Sequence, residues 1–180
     1  TNPGTTSSTL TVTTLGRNNL GSLTLLPSAL ANFGSLESIV IGGTASYTNT
    51  GSLLTTPNVY VRLAGAGQDA DFAQLGTVSG TVAGTYGFIA QTATTTSTLS
   101  VAATGTLAAI TASSAVASGS VEVLALKASA NITATDATSL LRINSGGLIL
   151  NGTTAPNISA NLYFGTLGAA KEALVYVRDL

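Results

Sequence analysis

An all-β fold is what this sequence predicts, and three observations predict it. Short runs alternate apolar and hydroxyl residues. Gly and Asn punctuate those runs. Charged residues make up 7% of the chain, against roughly 25% in a typical soluble domain. Ser and Thr fill the gap at about a quarter of the 180 residues, with 20 Gly besides. Thr is β-branched and favours strands, whereas the missing Lys and Glu favour helices. A hydrophobic fraction of 44% sets the chain apart from disordered sequences, which combine low hydrophobicity with high charge. We expect one β-rich domain over residues 1–180.

The elements follow in order. Thr9-Leu10-Thr11-Val12-Thr13 puts apolar and hydroxyl side chains on opposite faces of an extended strand. Ser22-Leu23-Thr24-Leu25 does the same, and Val59-Tyr60-Val61-Arg62-Leu63 places Val59, Val61 and Leu63 on one face. Val121-Glu122-Val123, Leu140-Leu141-Arg142-Ile143, Leu148-Ile149-Leu150 and Leu174-Val175-Tyr176-Val177 complete the series. Turn signals fall between them at Gly16, Asn18-Asn19, Gly42-Gly43, Asn49-Thr50-Gly51, Gly146-Gly147 and Asn151-Gly152. Many short strands of this kind fit a sandwich, a barrel or a solenoid. Three stretches carry helical character: a turn within residues 26–36, another over 69–75, and a short one over 169–173. Residues 92–120 form a low-complexity Ala/Thr/Ser tract that suits tightly stacked coils or a surface excursion.

Composition excludes several function classes. The six Lys and Arg are scattered from Arg17 to Arg178, so no basic patch exists for phosphate, and we expect no nucleic-acid partner. No apolar run approaches the ~18 residues of a membrane-spanning helix. Without Cys or His, thiol chemistry, Ser-His-Asp triads and zinc sites are out of reach of this chain. A net charge of −1 gives little colloidal repulsion, which suits a secreted assembly better than a crowded cytoplasm. The chain contains no Met, and no signal peptide is visible in its first ten residues. We therefore expect an N-terminus made by processing, in a segment of a larger secreted protein.

An internal echo is present. Asn19-Leu20-Gly21-Ser22-Leu23-Thr24-Leu25 matches Asn144-Ser145-Gly146-Gly147-Leu148-Ile149-Leu150 as a turn followed by an apolar-x-apolar strand. Such units suit a β-solenoid, in which each coil buries its face against the next. Further residues carry a family resemblance. The stretch from Leu15 through Arg17, Asn19, Gly21 and Leu23 to Leu25 resembles the R-x-N-x-G-x-L opening of autotransporter-associated β-strand repeat proteins. Residues 140–152 are similar to that family's S-L-x-I-x-S-G-G-x-L strand. Asn161-Leu162-Tyr163-Phe164-Gly165, then Glu172 to Val177, resembles the coil that follows it. The resemblance implies a right-handed parallel β-helix in the passenger region of a large bacterial surface protein, structural or adhesive in role. The 92–120 tract is poorer in strand formers than regular coils of that family.

Candidate chemistry is sparse. Seven carboxylates are the only acid–base groups in the ordinary range, and Glu37, Glu122, Asp136, Glu172 and Asp179 stand apart in sequence. Asp69 and Asp71 form the one close acidic pair, in Gly65-Ala66-Gly67-Gln68-Asp69-Ala70-Asp71-Phe72. This resembles the Gly-rich calcium nonapeptide, so calcium is the cofactor such a loop would take. The match fails at the first Gly, and it occurs once where that site stacks several copies; a solvated loop is the plainer reading. Asn131-Ile132-Thr133, Asn151-Gly152-Thr153 and Asn157-Ile158-Ser159 are N-glycosylation sequons, which a Thr-rich chain also produces by chance. Tyr60, Tyr86, Tyr163 and Tyr176 would form a glycan platform if they shared a face, and pack at core edges otherwise.

These readings converge on a structural or adhesive module at a bacterial cell surface, without catalysis. Its expected partners are neighbouring segments or copies of the same protein, with surface glycans as a further target. Two alternatives accompany it. One is a β-sandwich filament subunit, in which the strand containing Thr9, Leu10, Thr11 and Val12 inserts into the next subunit. The other is a β-helix polysaccharide-active enzyme, which would need carboxylates gathered on one face.

Overall fold

The computed structural model describes residues 7–13, 15, 17, 19–41, 57–77, 86–90, 94–95, 99 and 105–178. The turn signals at Gly16, Asn18, Gly42-Gly43 and Asn49-Thr50-Gly51 lie outside the described residues, as do much of the 92–120 tract and Asp179. Among the described residues the regular structure is strand, apart from 3-10 turns at Leu30–Asn32 and at Leu99. The protein is all-β. It divides into two compact units, Thr1–Gln91 and Thr92–Leu180.

The first unit is a curled six-stranded sheet. Its strands are β1 (Ser8–Val12), β2 (Leu23–Leu25), β3 (Glu37–Ile41), β4 (Val59–Arg62), β5 (Ala70–Thr77) and β6 (Tyr86–Ala90), in the order β1-β3-β6-β5-β4-β2. The pairs β1–β3 and β2–β4 are parallel, and the three central pairs are antiparallel. Leu25, Ile41, Val59, Val61, Ala73, Leu75 and Phe88 form its core cluster. Burying a Val, Leu or Phe side chain fully contributes about 1.5–3 kcal/mol each. The turn into β2 is braced from one side. Asn19 (φ 49°) and Leu20 (φ 61°) are left-handed, a conformation costly for Leu. Arg17 donates to the carbonyls of Leu20 at 2.7 Å and Gly21 at 2.8 Å, which pins that turn.

The second unit is built from parallel pairs, apart from β15–β16 near its end. Its strands are β7 (Thr94–Thr95), β8 (Leu107–Ile110), β9 (Ser114–Val116), β10 (Ser120–Val123), β11 (Ala125–Ala128), β12 (Ile132–Ala134), β13 (Leu140–Ile143), β14 (Gly147–Leu150), β15 (Asn161–Thr166), β16 (Ala169–Ala170) and β17 (Leu174–Val177). One sheet runs β10-β13-β15-β16, a second β17-β14-β11-β8-β7, and a third β12-β9, extended by a bridge between Ile132 and Ile158. From β8 onward the chain visits the second sheet, the third and the first in turn, and repeats that order. Parallel register then stacks like on like. Val121, Leu141 and Leu162 form one column, with Val123, Ile143 and Phe164 beside it. Ala108, Leu126, Leu148 and Val175 form another, with Ile110, Ala128, Leu150 and Val177 beside it. The inner members of these columns make the core of the unit.

Several expectations change. The pairing is mixed, with antiparallel ladders through the middle of the first unit and at β15–β16 in the second. Only the all-β part of the right-handed parallel β-helix expectation therefore stands for the chain as a whole. The helical stretch expected over 69–75 is strand β5, because pairing with β4 on one side and β6 on the other outweighs local propensity. The stretch over 169–173 is not helical either. Gly165 (φ 117°) and Gly168 (φ 82°) turn the chain back on itself, so Ala169 and Ala170 pair with β15. Within the low-complexity tract, Leu107–Ile110 and Ser114–Val116 are strands whose small residues suit close stacking.

Candidate functional site

Among the described residues two places gather chemistry, one in each unit. In the first unit the curl brings the sheet's two outermost strands to the same groove, of ≈ 560 Å³. Ser8, Thr9 and Leu10 of β1 line one part of it, and Thr24, Leu25, Leu26 and Pro27 another. Phe33 and Ile39 contribute apolar surface, and Leu10 and Leu26 are exposed at 59% and 53%. Glu37 also lines the groove, but its carboxylate is already engaged. It accepts the Ser28 N–H at 2.7 Å and the Ser28 hydroxyl. Those two bonds hold its pKa below the usual carboxylate range.

In the second unit the outward face of β10-β13-β15 carries a polar column. Register places Glu122 beside Arg142, and Arg142 beside Tyr163. Arg142 Nη1 donates to Glu122 Oε1 at 2.9 Å, and Asn144 Nδ2 approaches Glu122 Oε2 at 3.4 Å. The Arg142 bond first, and the Asn144 bond after it, hold the Glu122 pKa down. A carboxylate kept ionised in this way lies far from the near-neutral pKa that proton transfer uses. The arrangement ties two strands together and sets a phenol beside a guanidinium. A neighbouring loop is held by a third carboxylate. Asp136 Oδ1 accepts the Thr138 N–H at 2.8 Å and its hydroxyl at 2.7 Å, and Thr138 is the first cause of its lowered pKa. Ser139, fully buried, accepts the N–H groups of Thr135 and Asp136 at 3.1 Å each.

The residues singled out from sequence are dispersed. Asp69 is exposed just before β5, and Asp71 is half-buried within it. Among the described residues no three acidic side chains gather to hold a metal ion. Asn131 and Asn157 are exposed, and Asn131 Oδ1 accepts the Asn157 N–H at 2.8 Å. Asn151 is only 4% exposed, so the fold shuts in that sequon's amide. Thr9, Leu10, Thr11 and Val12 are seated in β1, paired with β3 from Ser38 to Ile41. Tyr60 is buried against Phe72, with ring centroids 5.9 Å apart, while Tyr163 and Tyr176 are half-buried in different sheets of the second unit. Sequence reasoning missed the Glu122–Arg142 pairing. Its signal was the opposite charge of two residues at equivalent places in similar strands. The groove had no signal, because its walls come together only when the sheet curls.

The chain matches no model of a known protein family, no curated protein and no solved structure.

Proposed function

We propose that this chain is a structural and adhesive module of a bacterial cell-surface protein, acting outside the cell and without catalysis. In this reading its second unit is a right-handed parallel β-helix of the autotransporter-associated β-strand repeat kind. The observation that carries the proposal is the repeated visit to three sheets in one order, with aliphatic columns in parallel register. Right-handed crossovers are the rule for parallel connections of this kind. The role is mechanical: hydrogen bonds run along the stack, the columns resist unravelling, and hydroxyl side chains face water. Neighbouring segments or further copies are the natural partners, and surface glycans would meet Tyr163 beside Arg142. The test is location and inertness together. Antibodies raised against the chain should label intact, unpermeabilised cells of the source organism, and incubation with polysaccharides should release no new chain ends. Labelling confined to lysed cells refutes the surface role, and saccharide cleavage refutes the absence of catalysis.

A second reading rests on the groove. Two edge strands flanking an apolar cleft suit a filament subunit that takes a strand from its neighbour. Ser8 to Thr11 are exposed, so β1 gives up little core packing on leaving. That reading predicts polymers that disappear when residues 1–14 are deleted.

A further inference from the structure

In the first unit the core face of the sheet is unfinished at the groove. Register sets Leu10 on the same face as Ile39 and Leu23 on the same face as Val59, and both partners belong to the core packing. Leu10 and Leu23 are nevertheless 59% and 37% exposed, and Leu26 in the groove wall is 53% exposed. Apolar side chains left open together at a cleft mark an interaction site.

The backbone beside them is directional. Ser8 donates its N–H to the Leu36 carbonyl at 2.7 Å, and Leu23 donates to Asn58 at 2.9 Å. In a parallel ladder alternate residues face the same neighbour. The N–H and C=O groups of Thr9 and Thr11 therefore face away from β3, and those of Thr24 face away from β4. Two parallel pairs and three antiparallel pairs separate β1 from β2, so these strands run in opposite directions. We infer that the groove takes a short extended peptide, uncharged and apolar at alternate positions, lying between β1 and β2 and bonded to their backbones.

Size and charge agree. Strand spacings of about 3.3, 4.8 and 10 Å give roughly 160 Å³ per residue. The ≈ 560 Å³ groove thus holds roughly three to four residues, and β2 itself has three. Glu37 is the one ionisable side chain in the groove's described lining, and Ser28 occupies both its oxygens. A charged occupant therefore finds no counterion. A lipid chain would cover the leucines but offers nothing to the Thr9 and Thr24 backbones. Unlike strand exchange, this binding leaves β1 in place, and it does not depend on where the protein acts.

A labelled, capped hexapeptide of alternating valine and threonine, added to the full chain and followed by fluorescence anisotropy, tests the inference. Binding should saturate and should slow amide hydrogen exchange at Thr9, Thr11 and Thr24. The same peptide N-methylated along its backbone fills space without donating, and should bind at least about tenfold more weakly. Leu26→Glu, which puts a charge in the groove wall outside any strand, should also weaken binding about tenfold. No saturable binding, equal binding of the N-methylated peptide, or binding of dodecanoate but not the peptide overturns the inference. So does peptide binding only after residues 1–14 are deleted, which would put the peptide in the position of β1 and favour strand exchange. Should Leu26→Glu disturb the fold, the N-methylated peptide decides, since it leaves the protein unaltered.

Discussion

Replacing Gly146 with Ala tests the close stacking of the second unit in a single atom. Gly146 has φ 88°, and an added Cβ would lie 2.1 Å from the carbonyl oxygen of Glu172. That oxygen belongs to backbone entering β17, so no side-chain rotation relieves the contact. Two costs add. The left-handed conformation costs a non-Gly residue about 1–2 kcal/mol, partly offset by the lower entropy of the unfolded Ala chain. Moving Glu172 away also disturbs the Leu174 N–H to Gly146 carbonyl bond, 2.9 Å long, and the buried side chain of Leu174. A hydrogen bond and part of an aliphatic side chain are together worth about 2 kcal/mol, for a total near 3 kcal/mol. Gly119 supplies the control. It has φ 86° with no atom within 4 Å of its added Cβ, so Gly119→Ala costs only the backbone term, about 1 kcal/mol. Urea unfolding followed by hydrogen exchange on peptides of the second unit gives both numbers without assuming that the two units unfold together. Gly146→Ala should lose protection first over 174–178. Equal costs for the two variants would show that the close approach of β17 to Gly146 is not a constraint.

Leu141→Ala, at a fully buried position of the core, should destabilise the second unit by about 2–5 kcal/mol in the same urea assay. Acid should weaken the fold in a defined window. The pKa values of Glu37, Glu122 and Asp136 are held below the ordinary carboxylate range, so their contributions are complete above the unfolded-chain values and are lost as pH falls through the lower folded ones. Glu122→Gln should flatten the second unit's share of that loss when urea midpoints are measured against pH, and an unchanged slope refutes the Arg142 bond as its cause. Millimolar calcium should leave thermal melting unchanged, because two carboxylates with no third acidic ligand fall short of a calcium cage among the described residues; a rise abolished by Asp69→Asn would reverse that expectation.

Alternation makes several strands legible in the sequence itself. Residues 140–143 and 174–177 are strands with the bounds read from sequence. The echo between residues 19–25 and 144–150 also has a physical basis: each is a left-handed turn followed by a strand, with Asn19 and Leu20 turning in one and Gly146 in the other. Pairing was not legible. Parallel partners in the second unit lie from 14 residues apart, as for Thr94 and Ala108, to 27 apart, as for Leu148 and Val175. So uneven a spacing hides a repeat that the backbone keeps faithfully. The strand Ala70–Thr77 was hidden for another reason. Its central position buries residues on both faces, which erases alternation. For the candidate site, Glu122 and Arg142 were visible as residues but not as a pair, since only register brings them together.

Within the second unit the scarcity of charge accords with that same register. In a parallel in-register stack an outward residue stands roughly 4.8 Å from its counterpart on the next strand. Equivalent positions with the same charge would therefore repel along the whole column, since like charges directly opposite destabilise a sheet. Hydroxyls escape this penalty and keep β propensity, so Thr and Ser are the residues that a stack can repeat without limit. The columns of the second unit obey the constraint. Lys127 has Ala109 and Ile149 as its neighbours, and Ser120 has Leu140. Where two charges do fall side by side, at Glu122 and Arg142, they are opposite in sign and 2.9 Å apart. In the second unit few charges thus suit the parallel stack, and the Glu122–Arg142 pair marks where its column tolerates charge.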